Sequence, residues 1–295
     1  MVDFTNPSAR KSRVIKSGMN RMENLSASLP MPPANFSEEV FFKDNYWHQR
    51  WEVFQGVFTP GNNPVGDLCK YIQLPADLAG KRVLDIGAWN GCFSFECERR
   101  GASEVVAYSL ENPEETGFNK LKDLLNSNVS YVQGSVYTLS PEALGTFDLV
   151  LFLGVLYHLR YPLLAIDRLR SITRQTVLIE THVVNNRRLL RKPYASIGRF
   201  LPLSLLFNST PIWRQYREFE LHPQDQSNWF GPNIKAVTES FETAGFDIVY
   251  QSLWAADRAV FRAEAKAELP ARFTETYEGL AVAEGLSPAH TGGLD

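Results

Sequence analysis

The stretch Val83-Leu84-Asp85-Ile86-Gly87-Ala88-Trp89-Asn90-Gly91 carries the strongest chemical signal in the chain. A short β-rich run ends in glycine, and a helix-forming run begins at Asn90. At such a strand-to-helix turn, glycine lets the backbone approach a ligand where a Cβ would intrude. The helix start then offers free N–H groups. Dinucleotide sites use three glycines here to admit a pyrophosphate. Trp89 fills the middle position instead, which suits a phosphate poorly and an amino-acid-like group better. On its own the same run is also an ordinary tight turn. A second signal is Leu153 to His158, which follows a nearly all-apolar run, and open α/β sheets bind ligands at the carboxyl ends of such strands. His158 is suited to remove a proton from an oxygen or nitrogen nucleophile, because imidazole titrates near neutral pH. The alternative is a hydrogen-bonded structural histidine. Glu180 and His182, at the end of a later strand, are rival bases.

These residues need a frame. From Lys81 onward, apolar strands are expected at 82–87, 104–109, 129–133, 147–153 and 176–181, separated by helix-length segments including 90–100 and 162–172. That alternation implies an α/β fold with a Rossmann-like, doubly wound, mostly parallel sheet. Residues 234–244 read as a helix, and 246–253 with 258–263 as a closing antiparallel hairpin. Upstream, Ser37-Glu38-Glu39 marks a helix start. Trp47, His48, Trp51 and Phe54 follow at the three-to-four spacing of one helical face. Thr59 to Pro64 is a turn and loop, and a short helix should run from Val65 to about Ile72. The expected organisation is a flexible arm (1–37), one domain (38–265) with an aromatic-rich insertion (183–232), and a tail (266–295).

The insertion reads as a lid over an acceptor. Trp213, Tyr216, Trp229 and Phe230 are placed to stack on a planar molecule, and Arg214 or Arg217 to hold an acidic one. The plainer alternative is a small aromatic core. Arg187, Arg188, Arg191 and Lys192 are either a solvated helix face or a small phosphate-binding patch.

With Leu84-Asp85-Ile86-Gly87-Ala88-Trp89-Asn90-Gly91, Glu98-Arg99-Arg100-Gly101-Ala102 and Gly154-Val155-Leu156-Tyr157-His158-Leu159-Arg160-Tyr161-Pro162, the chain resembles class I S-adenosylmethionine-dependent methyltransferases. Within them it is similar to the branch of the tRNA wobble-uridine carboxymethyltransferase and related small-molecule methyltransferases. Trp229-Phe230-x-Pro232-Asn233 and Ala244-Gly245-Phe246 belong to the same pattern, which spans about residues 46–263. The resemblance implies S-adenosyl-L-methionine as cofactor and places Asp85 and Gly87 against its methionine portion. Asp85 would act on the ammonium group, directly or through water. Trp89 and Asn90 would line the turn, and Gly91 would let the helix start come close.

An acid usually ends the second strand and accepts both ribose hydroxyls. Ser109 stands at that place with Glu111 two residues on, so either Glu111 reaches back or Ser109 makes a single bond. In Gly134-Ser135-Val136, Ser135 replaces an acid that often contacts adenine, with Val136 beside it. Leu153, Tyr157 and His158 would lie near the sulfonium and the acceptor, with His182 as a further catalytic candidate. Tyr157 and Arg258 match positions that hold an extra carboxylate in the carboxymethyl-transferring relative. That enzyme also uses a Lys before a Gly, where Gln55 precedes Gly56 here, so the resemblance implies the ordinary cofactor.

Charge and composition bound the acceptor. Lys plus Arg number 30 against 33 Asp plus Glu, a net charge of -3, which gives no general attraction for phosphate backbones. A small-molecule acceptor is therefore expected. The alternatives are tRNA modification and a non-catalytic cofactor-binding regulator. Three cysteines match no zinc pattern and suit a reducing compartment. No apolar run approaches the roughly 20 residues of a membrane span, and the opening residues are no secretory signal. The expectation is a cytoplasmic enzyme without metal, able to form a homodimer.

Overall fold

A computed structural model describes residues 29–184 and 209–268, and the chain divides in it into two units, 1–70 and 71–295. In the first unit the opening helix, α1 (Glu38–Phe42), is short. The aromatic spacing after it predicts more helix, but four short strands form instead: β1 (Gln49–Arg50), β2 (Glu52–Phe54), β3 (Val57–Phe58) and β4 (Asn63–Pro64). Gly56, at φ 78°, decides the matter. It folds β2 back onto β3 in register Phe54 with Val57, and its N–H donates to Glu52 Oε1 at 3.0 Å. The aromatic rings are this unit's own core: Phe42 meets Trp47 edge-on at 5.0 Å, and Phe36 meets Phe54 at 5.7 Å. Helix α2 (Val65–Tyr71) then forms as expected.

In the second unit the strand pattern read from the sequence holds, with longer strands toward the end. Its elements are β5 (Arg82–Ile86), α3 (Cys92–Arg99), β6 (Glu104–Ser109), α4 (Pro113–Thr116), α5 (Phe118–Leu125), β7 (Ser130–Gln133), α6 (Pro141–Leu144) and β8 (Phe147–Leu153). They continue with α7 (Pro162–Ile172), β9 (Thr173–His182), β10 (Trp213–Gln215), β11 (Phe230–Pro232), α8 (Ile234–Thr243), β12 (Phe246–Ala255) and β13 (Arg258–Ala265). The sheet runs in the order β12-β13-β9-β8-β5-β6-β7. Pairs among β9, β8, β5, β6 and β7 are parallel, while β13 runs antiparallel to both β9 and β12.

Strand residues alternate between two buried faces. Leu84, Ile86, Val106, Val150, Phe152, Val177, Ile179 and Phe261 share one core with Ile166 and Leu169 of α7 and Val237 and Phe241 of α8. Val83, Val105, Leu149, Leu151 and Leu178 are equally buried on the other side, where α3 lies on β5 and β6. Each large side chain fully removed from water contributes about 1.5–3 kcal/mol, which fixes the strand register. Asp85 shares the α3 face. From β5 the chain adds β6 on one side and later β8 on the other, so the sheet's switch point lies between β5 and β8.

Within the insertion, β10 and β11 pair antiparallel. Arg187, Arg188, Arg191 and Lys192 lie outside the described residues, as do 1–28 of the arm and 269–295 of the tail. Among the described residues no helix is long and apolar enough to cross a membrane. Cys69, Cys92 and Cys97 are buried.

Candidate functional site

The turn after β5 is built from left-handed backbone. Gly87, Trp89 and Gly91 have φ of 75°, 50° and 80°. Trp89 adopts this at a cost of about 1–2 kcal/mol, a strain that persists only where the surroundings impose it. Gly87 is exposed within a buried neighbourhood, and its N–H donates to the Tyr108 carbonyl at 2.8 Å. A Cβ on Gly87 would fall 2.5 Å from Val155 Cγ2, and one on Gly91 would fall 2.5 Å from the Phe118 ring. Both glycines are thus required by backbone conformation and by the chain's own packing. Asn90 is buried, and its Nδ2 donates to the Thr116 carbonyl.

Asp85 stands beneath this turn. It is 3% exposed and accepts from Ser94 Oγ at 2.6 Å. Burial pushes its carboxyl up to about 6, against the bonds from Ser94. No Lys, Arg or His of the described residues pairs with it. A buried carboxylate without a cation fits a ligand ammonium group, which would supply the missing charge.

At the end of β6, Glu111 does reach back: Ser109 Oγ donates to its Oε2. Tyr131 Oη donates to the Glu111 carbonyl at 2.8 Å, and burial, with the Glu111 and Asp85 charges, pushes the Tyr131 phenol up to about 12. Ser109 and Glu111 together therefore offer the carboxylate that a vicinal diol needs. Ser135 is occupied by its own turn, accepting from Tyr137 N at 3.3 Å, while its carbonyl accepts from Tyr108 Oη at 3.0 Å. Val136 belongs to the core.

Leu153 ends β8, and Gly154, at φ 76°, turns the chain, with its N–H on the Glu180 carbonyl at 2.8 Å. A short 3-10 turn, Leu156–His158, follows. Three would-be bases converge here and have different partners. Glu180, 2% exposed, accepts from Arg258 Nε at 2.6 Å, Arg258 Nη2 at 2.5 Å and Trp254 Nε1 at 2.9 Å. Burial works to lower the Arg258 guanidinium, but Glu180 outweighs it and holds it above its ordinary range. Arg258 also lies 4.9 Å from the Tyr157 ring, whose hydroxyl burial pushes up against the pull of Arg258. His182 is 1% exposed; its Nε2 bonds Tyr216 Oη at 2.8 Å and its Nδ1 lies 3.8 Å from Asp257. The structure thus places His182 and Tyr216 in the packing.

His158 is different. Its Nδ1 bonds Ser227 Oγ at 2.8 Å, and Ser227 Oγ donates to Asp225 Oδ1 at 2.5 Å. Nε2 has no hydrogen-bond partner among the described residues. Burial lowers the imidazole below its ordinary value, with Asp225 pulling the other way. Asp225 and Ser227, which are linked to His158 through these bonds, were not singled out by sequence reasoning. The only trace was the Asp-x-Ser spacing of an Asx turn, in which Asp225 Oδ1 accepts from Ser227 N at 2.8 Å.

Among the expected acceptor-binding rings, Trp229 lies beside this loop. Its backbone N–H donates to the Tyr157 carbonyl at 2.8 Å, its ring is partly exposed, and Arg160 covers it at 4.8 Å. The others form the small-core alternative. Trp213 packs edge-on against Phe230 at 6.1 Å, and a Cβ on Gly231 would strike Tyr216 Oη at 2.5 Å. Arg214 pairs with Glu220 at 2.8 Å, while Arg217 is exposed and its backbone N–H donates to the same carboxylate. Among the described residues no group of His, Cys, Asp and Glu is placed to hold a metal.

Comparison with known proteins gives the family and the fold. The tRNA U34 carboxymethyltransferase of Campylobacter hominis is 29% identical over 183 residues, covering 56% of this chain and 64% of the relative. A ubiquinone biosynthesis O-methyltransferase of Xanthomonas oryzae is 35% identical over 131 residues, covering 43% of this chain and 53% of the relative. The chain thus spans less than two-thirds of either. The crystal structure of the N-terminal domain of EvdMO1 with SAH bound superposes with a TM-score of 0.57 at 17% identity, covering 81% of this chain and 98% of that one, and so shares the fold. A family model described as a methyltransferase domain matches residues 64–251, more than half of the chain. The chain belongs to the methyltransferase domain family.

Proposed function

We propose that this chain binds S-adenosyl-L-methionine at the carboxyl rim between β5 and β8 and transfers its methyl group to an oxygen or nitrogen of a small molecule. One observation carries the reading: Asp85 is a buried carboxylate with no cation paired to it among the described residues, under the exposed Gly87 at the sheet's switch point. Bound there, the cofactor supplies an electrophilic methyl on a sulfonium. Asp85 holds the ammonium end. Glu111, tethered to Ser109, accepts from the ribose hydroxyls. The Leu153 to His158 loop lines the reacting end, and His158 Nε2 takes the proton from the nucleophile. In-line displacement draws most of its acceleration from holding the nucleophile about 3 Å from the methyl, and a base adds about 10²–10⁴-fold.

The net charge of -3 and the partly exposed Trp229 beside His158 favour a small planar acceptor. The O-methyltransferase named above supports oxygen as the acceptor atom. The test is incubation with deuteromethyl-labelled S-adenosyl-L-methionine and either a panel of phenols, amines and sugars or total tRNA. Label on a small molecule is the expected result. Label on tRNA alone, or turnover only with the carboxylated cofactor, would replace this reading with tRNA modification. Absence of S-adenosylhomocysteine binding would remove it altogether.

A further inference from the structure

We propose that Asp225 and Ser227 are positioning residues that fix the His158 proton on Nδ1 and leave Nε2 as the basic nitrogen. This rests on the reading of His158 as the base of a methyl transfer. The inference follows from counting protons. An ionised carboxylate only accepts, and a serine hydroxyl has one proton to give. Ser227 Oγ gives that proton to Asp225 Oδ1 at 2.5 Å. Toward His158 Nδ1, 2.8 Å away, Ser227 can then only accept, so Nδ1 carries the hydrogen. In a neutral imidazole the other nitrogen is then an acceptor. That nitrogen, Nε2, is the one without a partner among the described residues.

The arrangement is braced at both ends. Ser227 N donates to Asp225 Oδ1 at 2.8 Å, closing the turn, and Asn228 Nδ2 donates to the Asp225 carbonyl at 3.2 Å. Two residues beyond Ser227, Trp229 N donates to the Tyr157 carbonyl at 2.8 Å, so the turn is pinned to the loop that carries His158. Burial acts to raise Asp225, but its bonds with Ser227 and Asn228, and the His158 ring when it is charged, hold it below the usual carboxylate range, which keeps it an acceptor. Around His158, Asp225 and the Ser227 backbone carbonyl favour the imidazolium, whereas burial, Arg258 and His222 oppose it. The net effect is a neutral imidazole with its lone pair on Nε2 at physiological pH.

The experiment needs no acceptor. In the uniformly ¹⁵N-labelled full chain, long-range ¹H–¹⁵N correlations report the tautomer and titration of each of the five histidines, and His158→Gln identifies the signal. The expected wild-type result is the Nδ1–H form. Ser227→Ala should shift the population toward Nε2–H, Ser227→Thr should restore Nδ1–H, and Asp225→Asn should lower the titration midpoint of His158. An Nε2–H tautomer in the wild type, or one unmoved by Ser227→Ala, overturns the proposal. A parallel titration with S-adenosylhomocysteine separates the two claims. Failure to bind rejects the methyl-transfer reading while the tautomer still decides the positioning of His158.

Discussion

Three side chains at the rim can take a proton, and their partners choose among them. Glu180 accepts three hydrogen bonds from Arg258 and Trp254, and the guanidinium matches its charge. His182 is enclosed between Tyr216 and Asp257. His158 alone of the three keeps a nitrogen without a partner among the described residues. Replacing it with Gln should lower turnover by about 10²–10⁴-fold while S-adenosylhomocysteine affinity stays within about two-fold, as read by steady-state kinetics and calorimetry. Unchanged turnover would return His158 to a structural role. All three residues were legible in the sequence, because they close apolar strands or the loop after one. Their ranking was not. The partners that settle it come from β12, β13 and the 213–229 stretch, and no local spacing announces a contact across 34 to 78 positions.

Elements aim these residues, and the turn after β5 is the most constrained of them. Gly87 combines a left-handed φ with a Cβ position already claimed by Val155. Gly87→Ala should therefore destabilise the fold by about 2 kcal/mol or more and also weaken cofactor binding, because the turn must move away from the 153–158 loop. Thermal denaturation with and without S-adenosylhomocysteine reads both effects; a variant with wild-type melting would show that the turn tolerates a side chain. The parallel strands were readable because full burial on both faces demands unbroken apolar runs. The first unit was not. Trp47, Trp51 and Phe54 fall at helical intervals, yet the Gly56 turn makes a hairpin of the segment, since a positive φ fixes chain reversal more strongly than ring spacing fixes a helix.

At the scale of the whole molecule, the switch point and the charge at Asp85 link stability to function. The Asp85 carboxyl moves from 3.8 when free to about 6 in the fold. Between those values the folded chain holds more protons than the unfolded chain, so stability falls as pH rises through that window. That rise corresponds to about 3 kcal/mol, a penalty present almost in full at pH 7. Asp85→Asn keeps the shape and an acceptor for Ser94 but removes the charge. Its ligand-free form should melt at a higher temperature than wild type near pH 7, and the gain should vanish below about pH 4. An Asp85→Asn chain that melts lower at pH 7 would mean the carboxylate is stabilised by a partner of its own.

The most direct measurement is a calorimetric titration of S-adenosylhomocysteine into the wild type and Asp85→Asn, near pH 7.5 and again near pH 5. An ionised Asp85 waiting for an ammonium group entails binding by the wild type that weakens at the lower pH, as the carboxyl takes up a proton. It also entails little or no heat from the folded variant at either pH. Equal affinity of the two chains at both pH values would contradict the account, because the buried charge at the switch point would then have no part in holding the ligand.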